Sequence, residues 1–332
     1  MTVITTFIRK IQDGNPGSSR LGQWLSTMAN IIIFPALGLL AFLLLWSVSA
    51  QNIQTSLGKF PSPATVMEQF GNLYQEHRRE REKAAEFYQR QEARHTERLA
   101  QDPDYVAKIH PYTGKATFVD QIGTSLLTVL SGFILAAVIA IPLGIVVGLS
   151  RPLHAAINPL VQLFKPVSPL AWLPLVTLVV SAVYVSPDPL LAKSFLTSVI
   201  TVALCCLWPM VINTSVGVAA LDHDLVNVSK VLNLSALTHV RKIVLPASTP
   251  MIFTGMRLSL SVAWMVLIAA EMLAQSPGLG KFVWDEFQNG SSDSMGRIMA
   301  AVLVIGLVGF LLDRGMQQLQ NSLSWDKSSA KR

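Results

Sequence analysis

Two long stretches of this sequence contain no charged side chain. They cover residues 21–58 and 121–150. A hydrocarbon slab about 30 Å thick requires roughly 20 consecutive apolar residues of helix, and both stretches exceed that length. The chain as a whole is 51% apolar and 14% charged, whereas ordinary soluble domains are about 25% charged. We therefore predict an all-α, polytopic helical membrane protein.

Hydropathy predicts about six transmembrane helices, at residues 28–49, 123–149, 158–183, 195–216, 251–272 and 299–320. With six crossings, both termini lie on one side of the membrane. The short loops and tails on that side carry Arg9, Lys10, Arg20, Arg151, Lys230, Arg241, Lys242, Arg314, Lys327, Lys331 and Arg332. The other side carries Lys193, Lys281 and Arg297. Because cytoplasmic loops are enriched in Lys and Arg, we predict cytoplasmic N- and C-termini.

The predicted segments divide the chain into four parts. Residues 1–50 hold a cytoplasmic N-terminus and the first span, whose apolar stretch is longer than that of a signal peptide, so we expect a retained anchor. Residues 51–120 are a periplasmic insertion, residues 121–320 a five-helix core and residues 321–332 a cytoplasmic tail. The insertion has equal numbers of acidic and basic residues, with Glu86 and Arg90 at the favourable i, i+4 spacing. We predict a helical, solvated spacer, with a docking arm as the alternative.

A polar segment at residues 221–250 separates the fourth and fifth spans. Asp222 can cap a first short helix, and Asn233 stands where the helical pattern stops, as a left-handed helix end requires. Ser235 can cap a second helix, which Pro246 and Pro250 prevent from continuing unchanged. Such a two-helix loop is either an amphipathic segment on lipid head groups or a docking element for a soluble partner.

Two features within the spans suggest a transport pathway. Pro166, Pro169 and Pro174 interrupt the third span, and broken helix at membrane depth persists only inside protein or beside a wet cavity. We predict that this segment lines the pathway, with loose helix packing as the alternative. Its candidate residues are Lys165, Pro169 and Trp172.

The second feature is a polar stripe along one face of the fifth span. Its members are Thr254, Arg257, Ser261, Trp264 and Glu271. An Arg at mid-helix in lipid costs at least about 2.5–3.5 kcal/mol, so Arg257 should face protein or water. We favour a pathway wall. The alternative is a polar face packed on a neighbouring helix, with Arg257 paired to a carboxylate or reaching a carbonyl.

Several classes of function are disfavoured by what the sequence lacks. It contains no G-x-x-x-x-G-K-[ST] phosphate loop, and no Ser/His/Asp, zinc or paired-carboxylate constellation. We therefore expect a chain that is not itself an enzyme and that binds neither metal nor cofactor. The net charge of +6 comes without basic–aromatic interleaving, which argues against nucleic-acid binding. Cys205 and Cys206 are expected to be small buried hydrophobic residues.

The polar loop resembles the signature loop of ABC importer permeases. In that loop Glu-Ala-Ala, three residues, Gly, nine residues and Ile-x-Leu-Pro enter a cleft on the ATPase. Ile243, Leu245 and Pro246 match its end, Asn233 takes the Gly position, and Asn227 takes the Glu position with loss of a charge. The coupling residues that the resemblance implies are Asp224, Asn227, Val228, Ser229, Asn233, Leu234, Ile243, Leu245 and Pro246.

Further segments are similar to permeases of the nitrate/sulfonate/taurine importer family, and most of all to its nitrate branch. They include KPVSPLAWLP from residue 165 and WPMVINT from residue 208. The resemblance implies a type I ABC importer permease in a bacterial inner membrane. It also implies a permease homodimer, two cytoplasmic ATPase subunits that use ATP, and a periplasmic solute-binding protein. Arg257 would then supply a positive field along the path of a nitrate or nitrite anion.

Other functions remain open at this point. A sulfonate, taurine, bicarbonate or cyanate permease would share the fold. A membrane receptor would use the charged arm as a sensor, and a channel would need no ATPase partner. Association with an ATP-binding subunit separates the permeases from the last two.

Overall fold

A computed structural model of the chain describes residues 32–55, 58–102, 105–106, 108–185 and 191–323. These residues are helical apart from one short hairpin and the connecting segments. Predictions for residues 1–31 and 324–332 fall outside the described part, including the start of the first span and the terminal cations at positions 9, 10, 20, 327, 331 and 332. The chain divides into two compact units, residues 1–67 and 68–332.

The first unit contains one apolar helix and a hairpin. Helix α1 covers Phe34–Asn52, with a proline in its first turn, where the missing N–H leaves no hydrogen bond unmade. Strands β1 (Gln54–Thr55) and β2 (Gly58–Lys59) pair antiparallel, and the indole Nε1 of Trp46 donates to the carbonyl of Pro61 at 3.0 Å. Most apolar side chains of α1 are exposed, as expected of a helix surrounded by lipid.

The predicted helical arm is present as α2, Pro63–Gln101, most of which belongs to the second unit. The predicted pair between Glu86 and Arg90 forms at 3.0 Å. Residues 108–117 return along α2. The Tyr112 hydroxyl donates to Glu80 at 2.7 Å, which lowers the pKa of that carboxyl. The arm is therefore helix plus a returning extended segment.

The remaining helices build the core of the second unit. They are α3 (Phe118–Leu149), α4 (Arg151–Phe164), α5 (Pro169–Val183), α6 (Lys193–Ala219), α7 (His223–Val231), α8 (Ala236–His239), α9 (Leu245–Ala274), α10 (Leu279–Asn289) and α11 (Ser294–Leu323). Helices α3, α6 and α9 contribute most of its buried side chains. Both cysteines are free thiols; Cys206 is buried as expected, whereas Cys205 is only half-buried.

Helices α3 and α6 pack parallel to each other through small residues. Gly132 of α3 lies against Val202 of α6, and Gly148 lies against Val218, so position increases along both helices in the same direction. Small residues allow such close approach where helices pack inside a membrane. Because α3 ends where α6 ends, the chain between them must cross back from one end of the core to the other.

That return crossing is broken. Helices α4 and α5 are bent by 100° relative to each other, so the third span is broken, as its prolines predicted. Pro166 and Pro169 remove backbone donors at the break, and the Ser168 hydroxyl caps α5 by accepting from Leu170 N at 3.3 Å. Among the described residues, five helices are long and apolar enough to cross a membrane, and the bent pair gives the sixth crossing.

Packing of α3 on α6 can be tested at its glycines. A Cβ added to Gly132 would lie 2.9 Å from the carbonyl oxygen of Val199, whereas one added to Gly123 of the same helix meets nothing within 4 Å. We expect Gly132→Ala to destabilise the protein by about 1–3 kcal/mol through overpacking. Thermal melting of the purified protein in detergent measures this loss of stability. Equal melting temperatures for Gly132→Ala and the control Gly123→Ala would contradict this packing.

Candidate functional site

A compact two-helix element lies between α6 and α9. The Asp222 carboxylate caps α7 by accepting from Asp224 N at 3.0 Å, and Asn233 adopts the left-handed conformation with φ of 47°. The Ser235 hydroxyl caps α8 by accepting from Thr238 N at 3.4 Å. All three predicted helix ends are therefore confirmed. We call residues 222–244 the coupling knuckle.

One side-chain hydrogen bond holds the two helices of the knuckle together. His239 Nδ1 and the Ser229 hydroxyl lie 2.8 Å apart, and Ser229 is buried. After α8 the chain passes through a widened helical turn at Val240–Val244 and enters α9, with Pro246 in the first turn. The sequence predicted that Pro246 would prevent the second helix from continuing unchanged. The change is this widened turn, after which Pro246 lies in the first turn of α9.

The predicted coupling residues occupy different environments in the knuckle and in the first turn of α9 that follows it. The exposed ones are Asp224, Asn227, Val228, Asn233 and Pro246. Ser229 is buried, and Leu234, Ile243 and Leu245 are half-buried. Ser229, Asn233, Leu234 and His239 line one shallow hollow.

The knuckle also exposes large apolar side chains that the sequence analysis left out of the coupling set. Val231, Leu232 and Leu237 are 85%, 63% and 77% exposed, and the first two are adjacent in the chain. Exposed apolar side chains that lie together mark a surface that contacts a partner or a membrane. The sequence signal was present, since these residues continue the apolar pattern of the loop.

The stripe on α9 makes contacts with neighbouring helices. The Arg257 guanidinium pairs with Asp313 of α11 through two hydrogen bonds of 2.5 and 2.8 Å. Trp264 Nε1 donates to the carbonyl of Ile305, also on α11, at 2.9 Å. These contacts match the alternative in which the stripe packs on a neighbouring helix, and the ion pair neutralises the field of Arg257.

The two hydroxyls of the stripe are exposed and bond within their own helix. Thr254 donates to the carbonyl of Pro250 and Ser261 to that of Arg257. The role of the stripe in a pathway stays a prediction.

Glu271, the last member of the stripe, is fully buried at the end of the core opposite the knuckle. Its carboxyl accepts from the Ser125 hydroxyl at 2.8 and 2.9 Å and from Gly280 N at 2.8 Å, while the same hydroxyl accepts from Leu279 N. The side chain therefore ties α9 to α3 and to the start of α10. Ser125 lies 146 positions away, so the sequence pattern could not identify it.

An aromatic cluster forms at the break between α4 and α5. The Phe164 ring stacks on Trp208 of α6 with centroids 5.7 Å apart, and its centroid lies 5.8 Å from that of Trp172. The side chain of Lys165 is exposed beside the break, and Pro169 begins α5. The structure thus brings Trp172 into one cluster with Phe164 and with Trp208, which the analysis of the third span did not consider because it lies on another helix.

A cleft of about 790 Å³ follows α5 away from the break. It is lined by Leu170, Thr177, Ser181 and Leu273 among others, with Lys193 at the start of α6 on its edge. The cleft therefore runs from the end of the core opposite the knuckle towards the first turn of α5.

Charged side chains join the arm to the core. Arg297 at the start of α11 donates to Glu76 of α2 at 2.6 and 3.0 Å and lies 2.7 Å from Glu286 of α10. The hydrogen bonds from Arg297 hold the pKa of the Glu76 carboxyl below its usual value. Arg81 of the arm also pairs with Asp120 of α3 at 2.6 Å. The arm is fixed to the core near its base.

Comparison with known proteins identifies one family model. Residues 140–325 match the model described as the binding-protein-dependent transport system inner membrane component. The nitrate import permease protein NrtB of Leptolyngbya laminosa is 37% identical over 193 residues, which cover 58% of this chain and 64% of that protein. The bicarbonate transport system permease protein CmpB of Synechococcus elongatus is 33% identical over 309 residues, covering 91% of this chain and 92% of that protein.

A solved structure shares the fold. A chain of the MetNI methionine ABC transporter in an inward-facing conformation superimposes with a TM-score of 0.53 at 13% identity, covering 62% of this chain and 95% of that chain. The predicted type I importer permease fold is confirmed.

The buried carboxyl generates one prediction. Glu271→Ala leaves the Gly280 N–H and the Ser125 O–H without their acceptor, at about 1–3 kcal/mol for each group. We expect a clear loss of thermal stability in detergent. Glu271→Gln keeps an oxygen acceptor and should lose less. Equal stability of the alanine and glutamine variants would show that these hydrogen bonds contribute nothing.

The hydrogen bond between Ser229 and His239 leads to a second prediction. Ser229→Ala removes the partner of His239, and a typical net hydrogen bond contributes about 0.5–1.5 kcal/mol. We expect amide hydrogen exchange in residues 223–239 to accelerate by roughly twofold to tenfold. Asn227→Ala, at an exposed position of the same helix, is the control and should not accelerate exchange. Unchanged amide exchange in Ser229→Ala would show that the hydrogen bond between Ser229 and His239 does not stabilise the knuckle.

Proposed function

Because the chain belongs to the family of binding-protein-dependent transport system inner membrane components, we propose that it is the permease subunit of an ATP-driven importer for a small inorganic anion. Nitrate or nitrite is the first candidate. The single observation that carries this proposal is the coupling knuckle, a braced two-helix element at one end of a membrane bundle with an apolar exposed tip.

The tip supports the docking interpretation of the polar loop. Val231 and Leu237 project from the knuckle into solvent, which is unfavourable for a free surface, and burial against a partner removes that apolar area from water. The Ser229–His239 bond braces the tip, so force applied there reaches α9 through the continuous turn at Val240–Val244. A cytoplasmic ABC ATPase subunit is the partner that we propose for it. ATP is bound and hydrolysed by that subunit.

The other components follow from the same proposal. A periplasmic solute-binding protein delivers the anion to the end of the core opposite the knuckle, where Lys193 marks the mouth of the cleft. Two copies of this chain form the permease pair. The N- and C-termini lie in the cytoplasm with the knuckle, and the arm lies in the periplasm. The bundle then has an inward-facing and an outward-facing state. The ATPase acting at the knuckle and the binding protein acting at the outer end shift the equilibrium between these two states.

Bicarbonate is the second candidate substrate. The bicarbonate relative matches 92% of its length to this chain, whereas the Leptolyngbya nitrate relative matches 64% of its own length at slightly higher identity. Both candidates are planar oxyanions of one charge. Sulfonate, taurine and cyanate are further possibilities that the same transport assay covers.

Docking can be tested by placing a charge on the apolar tip. Val231→Asp should abolish co-purification of the ATPase subunit and uncouple transport, because an unpaired carboxylate would be buried in the contact. Val106→Asp on the arm is the control, since both valines are 85% exposed. This control should retain the ATPase. Retention by Val231→Asp as well would favour a knuckle that lies on lipid head groups.

Transport itself is measured in proteoliposomes that contain the assembled complex. ATP-dependent accumulation of isotopically labelled nitrate, presented on its binding protein, is the expected result. If labelled bicarbonate accumulates and labelled nitrate does not, bicarbonate becomes the first candidate substrate. A chain that binds no ATPase and passes ions without ATP would be a channel, and the proposal would be wrong.

A further inference from the structure

The distal part of the arm contains a hollow whose charged lining is basic. The hollow has a volume of about 490 Å³. Arg94 and Arg98 line it from α2, and Lys108 lines it from the start of the returning segment. Among the described residues no carboxylate belongs to this lining, although residues 51–120 as a whole carry equal numbers of acidic and basic side chains. We call this cavity the basic hollow.

The three cations of the basic hollow are available for a ligand. None of them forms an ion pair in the part of the arm that the structure describes, whereas Arg81 and Arg90 are each paired with a carboxylate. Arg94 donates from Nε to the carbonyl of Arg90, so its two Nη groups remain for a ligand. Like charges that share a cavity repel one another, and an anion that binds between them relieves this repulsion.

Hydrogen bonds and ring contacts hold the lining of the hollow in place. The buried Gln91 amide, in the orientation that satisfies both partners, donates to the carbonyl of His110 at 3.1 Å and accepts from its N–H at 2.7 Å. The Arg98 guanidinium carbon lies 5.6 Å from the centroid of the Tyr105 ring, which is also 6.0 Å from the ring centroid of His95. The charges are therefore positioned before a ligand arrives, which lowers the entropic cost of binding.

The size and exposure of the hollow favour a protein ligand over a small ion. Sites for small molecules bury most of the ligand surface, whereas Arg94, Arg98 and Lys108 are exposed and Val106 at the edge is 85% exposed. An oxyanion such as nitrate is little larger than a water molecule, which occupies about 30 Å³, and fills only a small part of the cavity. An acidic protein segment brings several carboxylates at once, and carboxylates match the paired N–H groups of arginine.

Glutamates beside the hollow disfavour a flat anionic surface such as a membrane. At about 100° per residue, Gln91, His95 and Arg98 fall on one face of α2, and Glu92 and Glu97 fall on either side of that face. Both glutamates are exposed. A flat anionic surface that approaches the hollow meets these carboxylates as well and is repelled by them. A narrow acidic protrusion enters between them and contacts only the cations.

The arm joins the core at the end opposite the knuckle, through the ion pairs of Arg297 with Glu76 and of Arg81 with Asp120. The solute-binding protein described above approaches that same end. We propose that the basic hollow docks an acidic protrusion of this solute-binding protein. The inference rests on the proposed importer function and names the surface that its soluble partner contacts. Cations that lack a partner steer an oppositely charged protein and raise its association rate.

Binding of an acidic ligand can be measured without transport. The probe is a fluorescently labelled deca-glutamate peptide, titrated onto the full-length chain in nanodiscs of zwitterionic lipid. Arg98→Gln combined with Lys108→Gln removes two charges at exposed positions. We expect the dissociation constant of the peptide to rise about 1.5- to 5-fold for each charge removed, the effect of one exposed ion pair.

The matched control lowers the net charge equally on another face. Gln89→Glu combined with Thr96→Glu places two negative charges on the side of α2 away from the hollow. At physiological salt, charges more than about 8 Å apart are largely screened, so this variant should bind the peptide as the wild type does. Equal losses in the two double variants would overturn the site. Vesicles of anionic lipid that bind with the same dependence on Arg98 and Lys108 would assign the hollow to a membrane and overturn the docking proposal.

The solute-binding protein itself gives the second readout. In the reconstituted complex, we measure ATP hydrolysis as a function of the concentration of loaded binding protein. For Arg98→Gln with Lys108→Gln, the half-saturating concentration should rise by the same factors while the maximal rate stays at the wild-type value, because both side chains act in docking only. An unchanged half-saturating concentration would overturn the proposal.

The outcomes separate this inference from the proposed function. If the wild-type complex imports nitrate or bicarbonate and the double variant requires no more binding protein than the wild type, docking at the hollow is wrong and anion import stands. If the complex imports neither anion while the peptide still loses affinity for the double variant, anion import is wrong and the site for an acidic ligand stands.

Discussion

The parallel packing of α3 on α6 determines the course of the rest of the core. Glycines at 132, 144 and 148 let the backbone of α3 approach α6 so closely that a side chain there would collide with it. Two parallel neighbours must be joined by a segment that returns across the membrane. The connection here has to contain that return crossing, the break at residues 165–168 and the turn into α6. The return crossing is therefore a consequence of the helix pair that it joins, and Pro166 and Pro169 place the break within it.

Within this frame, polar side chains in the spans fall into two groups, paired and unpaired. Where two helices must be fixed, both partners come from the protein, as with Arg257 and Asp313 or Glu271 and Ser125. A broken helix at membrane depth is tolerated only beside protein or a wet cavity, and there the indole donors of Trp172 and Trp208 remain unpaired. Among the described residues, the paired groups fix helices to one another, and the two unpaired indoles lie at the break in the third crossing.

Much of this architecture could be predicted from local sequence patterns. Apolar runs located the membrane helices, and cap residues located the ends of α7 and α8 because capping depends on neighbours in the chain. The same reasoning indicated the break in the third span from its prolines, but it gave no measure of the 100° bend between α4 and α5. It also could not identify Asp313 as the partner of Arg257, 56 positions away. A search for the one acidic residue in the sequence of α11 would have found that candidate.

The attachment of the arm near its base has a mechanical consequence. From residue 68 onward, α2 is a stiff rod about 50 Å long, and its contacts with the core come from side chains such as Glu76 and Arg81 near its proximal end. A sideways displacement of the distal end therefore becomes a torque on the first turns of α3 and α11. These ion pairs are partly exposed, so dissolved salt would loosen this hinge before it disturbed the packing of the bundle.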